Sequence, residues 1–300
     1  MKKIITGGTG LIGSHFSDGI KLNSSHYNLM NQQDVIRMYE EQRPDVVIHT
    51  AAKVGGLGAN IKYPADFYYD NIIMNTNVIH YAKEFGVKKL ICLTSTCVFP
   101  DEVEYPLTEE KIHLGPPNKT NFAYAYAKRM ADVQIEAYNE QYNTNYFSII
   151  PANVYGPNDN FNIEQGHVVP GLIHKFYLAT KNNTDVEIWG SGNAKRELVH
   201  AKDVARVCEI LEQTYSGPKP VIITTSEEIA IRDLAYLIAD IFKFKNKINF
   251  NTDRPDGQMR KPSSNAHLKS LIKDFEFTPL RDGLEETIEW FKANYETLRK

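Results

Sequence analysis

Lys2-Lys3-Ile4-Ile5-Thr6-Gly7-Gly8-Thr9-Gly10-Leu11-Ile12-Gly13 opens the chain. Residues 2–6 read as a short buried strand, and the run after them is G-x-x-G-x-x-G leading into a predicted helix start. Glycine at these places lets the chain turn tightly, lets its backbone approach a pyrophosphate, and lets a helix pack close to its strand. The N–H groups at the helix start then face the anion. Alternation continues downstream, with helices expected over 33–42, 65–84 and 124–142 and strands over 45–49, 89–94 and 146–150. Repeated βα units imply an α/β fold with a Rossmann-type doubly wound parallel sheet. A dinucleotide-binding domain is expected over 1–155 and a smaller α/β substrate-binding lobe over 156–300, with the segment near 197–211 returning to the first domain.

A chain of 300 residues can bury a sizeable core. Its net charge of −3, with acids and bases interspersed, carries no electrostatic footprint for nucleic acid or an anionic membrane. Lys2 and Lys3 precede too short an apolar run for a signal peptide, and no apolar run has membrane-spanning length. Cys92, Cys97 and Cys208 form no CxxC pair and leave one unpaired in any disulfide scheme, which suits the cytoplasm. No His/Cys/carboxylate spacing suggests a metal site. Chemistry on a small molecule is the expectation.

The chain has 17 tyrosines, and Tyr-x-x-x-Lys occurs at Tyr124, Tyr177 and Tyr215. Tyr215 is followed by Ser-Gly-Pro, which breaks a helix, and Tyr177 has no strand-end serine upstream. Tyr124 and Lys128 share one helix face and lie 29 residues beyond Ser95, at the end of a predicted strand. A tyrosine titrates near ~10, so proton transfer at neutral pH needs a neighbouring cation, and Lys128 can be that cation. Ser95 can hold the carbonyl oxygen that receives the proton.

An acidic residue about 20 positions beyond the glycine loop would bind a free ribose hydroxyl. Residues 20–30 contain no Asp or Glu, and Leu22-Asn23-Ser24-Ser25-His26 instead offers hydroxyls and a possible cation. NADP is therefore favoured as cofactor over NAD. Only ten residues separate Gly13 from Ser24, so the first helix is expected to be truncated.

With these motifs placed, the chain resembles the extended short-chain dehydrogenase/reductases of the nucleotide-sugar branch. The segments Ala51-Ala52-Lys53-Val54-Gly55-Gly56, Ser95-Thr96-Cys97-Val98-Phe99-Pro100, Asn160-Phe161-Asn162, His167-Val168-Val169-Pro170-Gly171-Leu172 and Trp189-Gly190-Ser191-Gly192 narrow the likeness to the GDP-L-fucose synthases. Those are NADPH-dependent epimerase-reductases acting on GDP-4-keto-6-deoxy-D-mannose, usually as homodimers. The resemblance implies that Tyr124 protonates the C4 oxygen, that Lys128 lowers its pKa, and that Ser95 hydrogen-bonds the same oxygen. It makes Cys97 and His167 the acid/base pair at C3 and C5. It brings Gly7 to Gly13, Ser24, Ser25, Ala51, Ala52, Leu93, Thr94, Tyr124, Lys128, Pro151, Ala152, Asn153, Val154 and His167 to the cofactor. Lys175, Trp189, Arg196, Asp256 and Lys261 are implied for the substrate. Trp189 could equally be core packing, Asp256 a turn residue in Pro255-Asp256-Gly257, and Asp203 an N-cap.

Two other readings stand beside this one. Another nucleotide-sugar reductase or epimerase of the same fold would keep the same dyad, although Thr96-Cys97 lacks the acid that dehydratases carry there. A non-catalytic dinucleotide sensor would tend to lose the tyrosine or the lysine, and both are present.

Overall fold

In a computed structural model, which describes residues 1–254 and 256–298, β1 (Lys3–Thr6) runs parallel to β2 (Ile20–Leu22) on one side and to β3 (Val46–His49) on the other. Ile4 pairs with both Ile20 and Val47. Every residue of β1 and β3 is buried, as expected of parallel strands covered on both faces. Between β2 and β3 lies α1 (Gln32–Gln42), capped by the Asn31 side chain, which accepts from the N–H groups of Gln33 and Asp34. α1 stops at Arg43 in the left-handed region.

The short α2 (Leu57–Lys62) leads into α3 (Pro64–Glu84), whose proline at the first turn loses no helical hydrogen bond. Then come β4 (Lys89–Leu93), α4 (Phe122–Tyr142), β5 (Tyr146–Pro151) and β6 (Asn153–Tyr155). The main sheet has the order β2-β1-β3-β4-β5 and closes on β9 (Val221–Ile223), parallel to β5. Successive crossovers leave β1 in opposite directions, so a crevice opens at the carboxyl ends of β1 and β3, where α/β sheets bind ligands.

The remaining chain builds α5 (Val168–Asn182), β7 (Val186–Trp189), β8 (Lys195–His200) and α6 (Ala201–Thr214) before β9. After it come β10 (Glu228–Ala230), α7 (Ile231–Phe242), β11 (Ile248–Asn251), α8 (Ala266–Leu271) and α9 (Leu280–Asn294). Two small sheets, β10-β8-β6 and β11-β7, carry this part. Phe161, Ile173, Phe176, Leu234, Leu284 and Phe291 form its core. A separate core joins Ile5, Val46, Ile48 and Ile149 to Val204, Val207, Cys208 and Leu211 of α6. Each such buried aliphatic side chain contributes about 1.5–3 kcal/mol. α6 thus covers the main sheet, and β9 extends that sheet beyond residue 211.

The first crossover contains no α-helix, only a single 3₁₀ turn at Gly13–His15. The helix N-terminus expected to face the anion is therefore reduced to one turn. The segment is fastened instead to α6: Glu209 accepts from the N–H and hydroxyl of Ser17, at 2.6 and 2.8 Å. Lys3, 7% exposed, pairs with both Asp18 and the buried Glu212.

The Asp203 side chain is not an N-cap. α6 begins two residues earlier, with His200 as its cap, and the buried Asp203 carboxylate accepts from the N–H and hydroxyl of Thr278.

Candidate active site

One cleft of about 930 Å³ runs from the glycine loop to the small sheets. Gly7, Thr9, Gly10, Leu11 and Ile12 line one end. Gly10 is free of close neighbours on its side-chain face except the Gly7 carbonyl, at 3.3 Å from where a Cβ would sit, so a side chain would fill the cradle. Gly13 and Gly8 do not line the cleft. A Cβ on Gly13 would lie 2.3 Å from the Gly7 carbonyl oxygen, so these two glycines permit the fold of the loop rather than touch a ligand. Ser24 lines the cleft, whereas Ser25 turns back on Asn23, donating to its Oδ1 at 2.6 Å. His26 accepts from the Asn23 N–H and is not part of the lining either.

Ala51, Ala52, Leu93, Thr94, Pro151, Ala152, Asn153 and Val154 all line the middle of the cleft, at the carboxyl ends of β3, β4 and β5. Tyr124, Lys128, Ser95, Cys97 and His167 line it too, brought from α4, the end of β4 and the start of α5. Lys128 is 2% exposed, and its Nζ donates to the Leu93 carbonyl at 2.9 Å. The Ser95 hydroxyl accepts from the Cys97 N–H at 3.4 Å, capping a 3₁₀ turn that turns Cys97 into the same space.

All five substrate candidates line the far end. Lys175 Nζ donates to the Glu187 carbonyl and sits 5.4 Å from the Trp189 ring centre. Arg254 covers the same ring at 5.0 Å. Trp189 is 48% exposed, which rules out core packing. Arg196 donates to the Gln258 carbonyl at 2.7 Å, and Asp256 accepts from the Ser191 N–H at 2.7 Å. Asp256 therefore braces the Gly190–Ser191 turn by direct contact; Pro255 lies outside the described residues.

The profile of the NAD dependent epimerase/dehydratase family matches residues 3–224. The chain belongs to that family. It is 43% identical to a GDP-L-fucose synthase of Dictyostelium discoideum over 99% of this chain and 97% of the relative. Its fold superposes with a TM-score of 0.94 on a GDP-L-fucose synthetase from Naegleria fowleri bound to NADP, at 42% identity, covering 99% of this chain and 94% of the other. A GDP-6-OMe-4-keto-L-xylo-heptose reductase from Campylobacter jejuni is more distant, at 27% identity and a TM-score of 0.89, covering 98% of each chain.

Electrostatics in this epimerase/dehydratase cleft are governed by burial. Tyr124 is pushed well above the usual tyrosine value, first by burial and then by Cys97 and Cys92. Lys128 is pulled down by the same burial. The lowering of Tyr124 expected from Lys128 is not found: the groups that act on the phenol all raise it. Burial likewise raises Cys97, against Lys261, the Ser95 hydroxyl and Lys128, which favour its thiolate. Its thiol is therefore further from neutrality than the reference value suggested. Burial also lowers Lys261, to about 8, with Arg196 adding to the effect. An anion between these two cations would reverse that cost.

Several lining residues escaped the sequence reading. Tyr27, Asn28, Leu29 and Met30 close the end beyond Ser24, and Asn158, Asp159 and Glu164 line the side nearest His167. The first group follows a strand of only three residues, too short for periodicity to mark, and the second sits in an irregular loop.

Proposed function

We propose that the protein is a GDP-L-fucose synthase, converting GDP-4-keto-6-deoxy-D-mannose to GDP-L-fucose by 3,5-epimerisation and NADPH-dependent 4-reduction. The observation that carries this is the meeting of Cys97 and His167 with the Tyr124–Lys128 pair in one cleft. The 43% identity to the Dictyostelium enzyme supports the same substrate. A glycine loop that a side chain would block, together with the lack of an acid over 20–30, supports NADPH as the cofactor.

Bound NADPH would supply the hydride that reaches C4. Tyr124, kept protonated by its raised pKa, hands its proton to the C4 oxygen as that charge develops. Lys128 then stabilises the resulting phenolate, and Ser95 donates to the same oxygen. The C4 ketone acidifies C3 and C5. Cys97 and His167 move protons there from opposite faces, as inversion demands. Lys175, Arg196 and Lys261 hold the diphosphate end, with Trp189 against the sugar or base and Asp256 bracing the turn behind it.

The second reading, a 4-reductase without epimerisation, is weaker. The Campylobacter heptose reductase is only 27% identical, and reduction alone leaves Cys97 and His167 without a task. Mixing the protein with GDP-4-keto-6-deoxy-D-mannose and NADPH decides between them: stoichiometric oxidation yielding GDP-L-fucose is expected. An unepimerised 6-deoxy sugar establishes the simple reductase instead, and no oxidation defeats both.

The cofactor domain comprises 1–155 with later returns to its sheet, and the substrate lobe takes most of 156–300. Among the described residues no helix is long and apolar enough to cross a membrane. A cytoplasmic setting is supported by three free, buried cysteines. A homodimer is supported by the apolar groove along α3 and α4, where Tyr68 and Phe122 are 44% and 48% exposed. Light scattering should return twice the chain mass for the native protein and the single mass for Tyr68→Asp/Phe122→Asp. A native monomer at micromolar concentration would refute the dimer.

A further inference from the structure

Asp159 is 6% exposed and lies in the loop between β6 and α5, eight positions before His167. Its Oδ1 accepts from the Asn160 N–H at 2.7 Å and stands 3.8 Å from His167 Nδ1, beyond hydrogen-bond reach but within ion-pair range. Its Oδ2 and the His167 Nδ1 are buried and make no hydrogen bond. His167 is the N-cap residue of α5, yet its side chain forms no capping bond, so the ring is uncommitted to the helix.

We propose that Asp159 is the positioning residue of the epimerisation step: it fixes the ring orientation and tautomer of His167 so that Nε2 is the atom presented to the sugar. This rests on the proposed function above. A buried carboxylate oxygen without a donor is costly, and so is a buried ring nitrogen without a partner. A proton on Nδ1, directed at Asp159 Oδ1, gives the ring nitrogen a partner, sets positive charge beside the buried carboxylate and leaves Nε2 to exchange protons with the substrate.

The loop is built to hold this arrangement. Asn160 Oδ1 accepts from the Asn162 N–H, and Asn162 Oδ1 accepts from those of Glu164 and Gln165. Gly166 packs so tightly that a Cβ there would lie 2.4 Å from the Asn160 carbonyl oxygen. The Gly56 N–H then donates to the Gln165 carbonyl at 2.7 Å, tying the loop to the other wall of the cleft. Asp159 and His167 are in this way drawn together by a wound loop rather than by helical spacing.

Burial opposes charging the His167 ring, but the Asp159 carboxylate more than offsets it, so its pKa stands above the ordinary 6.5. Other ionisable groups lining this end of the cleft are Glu164, Lys175, Arg196, Asp256, Lys261 and Cys97, and none of them contributes to that rise. A histidine whose cationic form is favoured is the proton donor of the pair. The step then balances: the Cys97 thiolate removes a C–H proton and becomes a thiol, and the electron pair moves to the C4 oxygen as an enolate. His167 Nε2 returns a proton to the carbon from the opposite face and is left neutral. Cys97 must be ionised while the ring is protonated, and burial raises the Cys97 thiol, so this step speeds up with pH as the thiolate forms and levels off as pH passes through the His167 pKa.

The test compares the full-length native protein with Asp159→Asn and His167→Gln, the latter assigning the His167 signal in an NMR pH titration. His167 is expected to titrate above 6.5 in the native protein and about one unit or more lower in Asp159→Asn. Solvent-deuterium uptake at C3 and C5 should fall about tenfold or more in Asp159→Asn, the pH at which it levels off moving down, with NADPH affinity retained. A native His167 titrating at or below 6.5 overturns the proposal without any variant. An unchanged titration or unchanged uptake in Asp159→Asn overturns it as well. If His167→Gln itself exchanges normally, or the native protein never turns over the sugar, the failure lies in the proposed function; the titration still decides whether Asp159 governs the ring.

Discussion

Tyr124→Phe is expected to lower NADPH oxidation with the keto sugar by about 10²–10⁴-fold, the usual contribution of a positioned acid. NADPH affinity should be retained, because the ring remains and still packs edge-on against Phe67, 6.2 Å away. Stopped-flow hydride transfer and a separate binding titration check the two halves. Turnover close to that of the native protein would remove Tyr124 from the acid role. The sign of the pH dependence follows from the raised pKa: the phenol stays protonated through the neutral range, and the reduction loses its acid only above pH ~10. A basic limb near neutrality would have to belong to another group.

Cys97→Ser is expected to reduce solvent-deuterium uptake at C3 and C5 by a similar 10²–10⁴-fold, since a serine hydroxyl is far less acidic than a thiol. Hydride transfer persists in that variant, so the product shifts from GDP-L-fucose toward sugars that were reduced before both centres inverted. NMR of the products reads this partition. Cys97 is 7% exposed, and the oxygen is close to isosteric, so the fold is preserved. Undiminished uptake would exclude Cys97 as an obligatory acid or base.

Much of this was legible before any coordinates. Burial of whole strands leaves near-continuous apolar runs, so β1, β3, β4 and β5 stood out, and the expected helices over 65–84 and 124–142 differ from α3 and α4 by no more than two residues at the start. The short spacing from Gly13 to Ser24 announced a truncated first helix, and the structure goes further, keeping only a 3₁₀ turn. What replaced it could not be read: Glu209 reaches Ser17 across 192 positions, and Lys3 reaches Glu212 across still more. Contacts of that range leave no periodicity.

The site divides in the same way. Tyr124, Lys128 and Ser95 were readable because helical spacing and a strand end place them with little help from the rest of the fold. Ser25 and His26 stay out of the cleft lining because a local turn around Asn23 points them elsewhere, a matter of side-chain hydrogen bonds rather than residue type. The charge states were out of reach altogether. Burial decided Tyr124, Cys97 and Lys261, and burial belongs to the assembled cleft.

By itself, then, the sequence determined the parallel α/β frame, the glycine loop and the Tyr–Lys pair, because each depends on spacing within one element or one turn. Only the tertiary structure decided which of the seven loop residues face the cleft, that α6 fastens the shortened crossover, and that Asp159 meets His167. Those outcomes depend on close approach between segments distant in the chain and on the water that approach excludes.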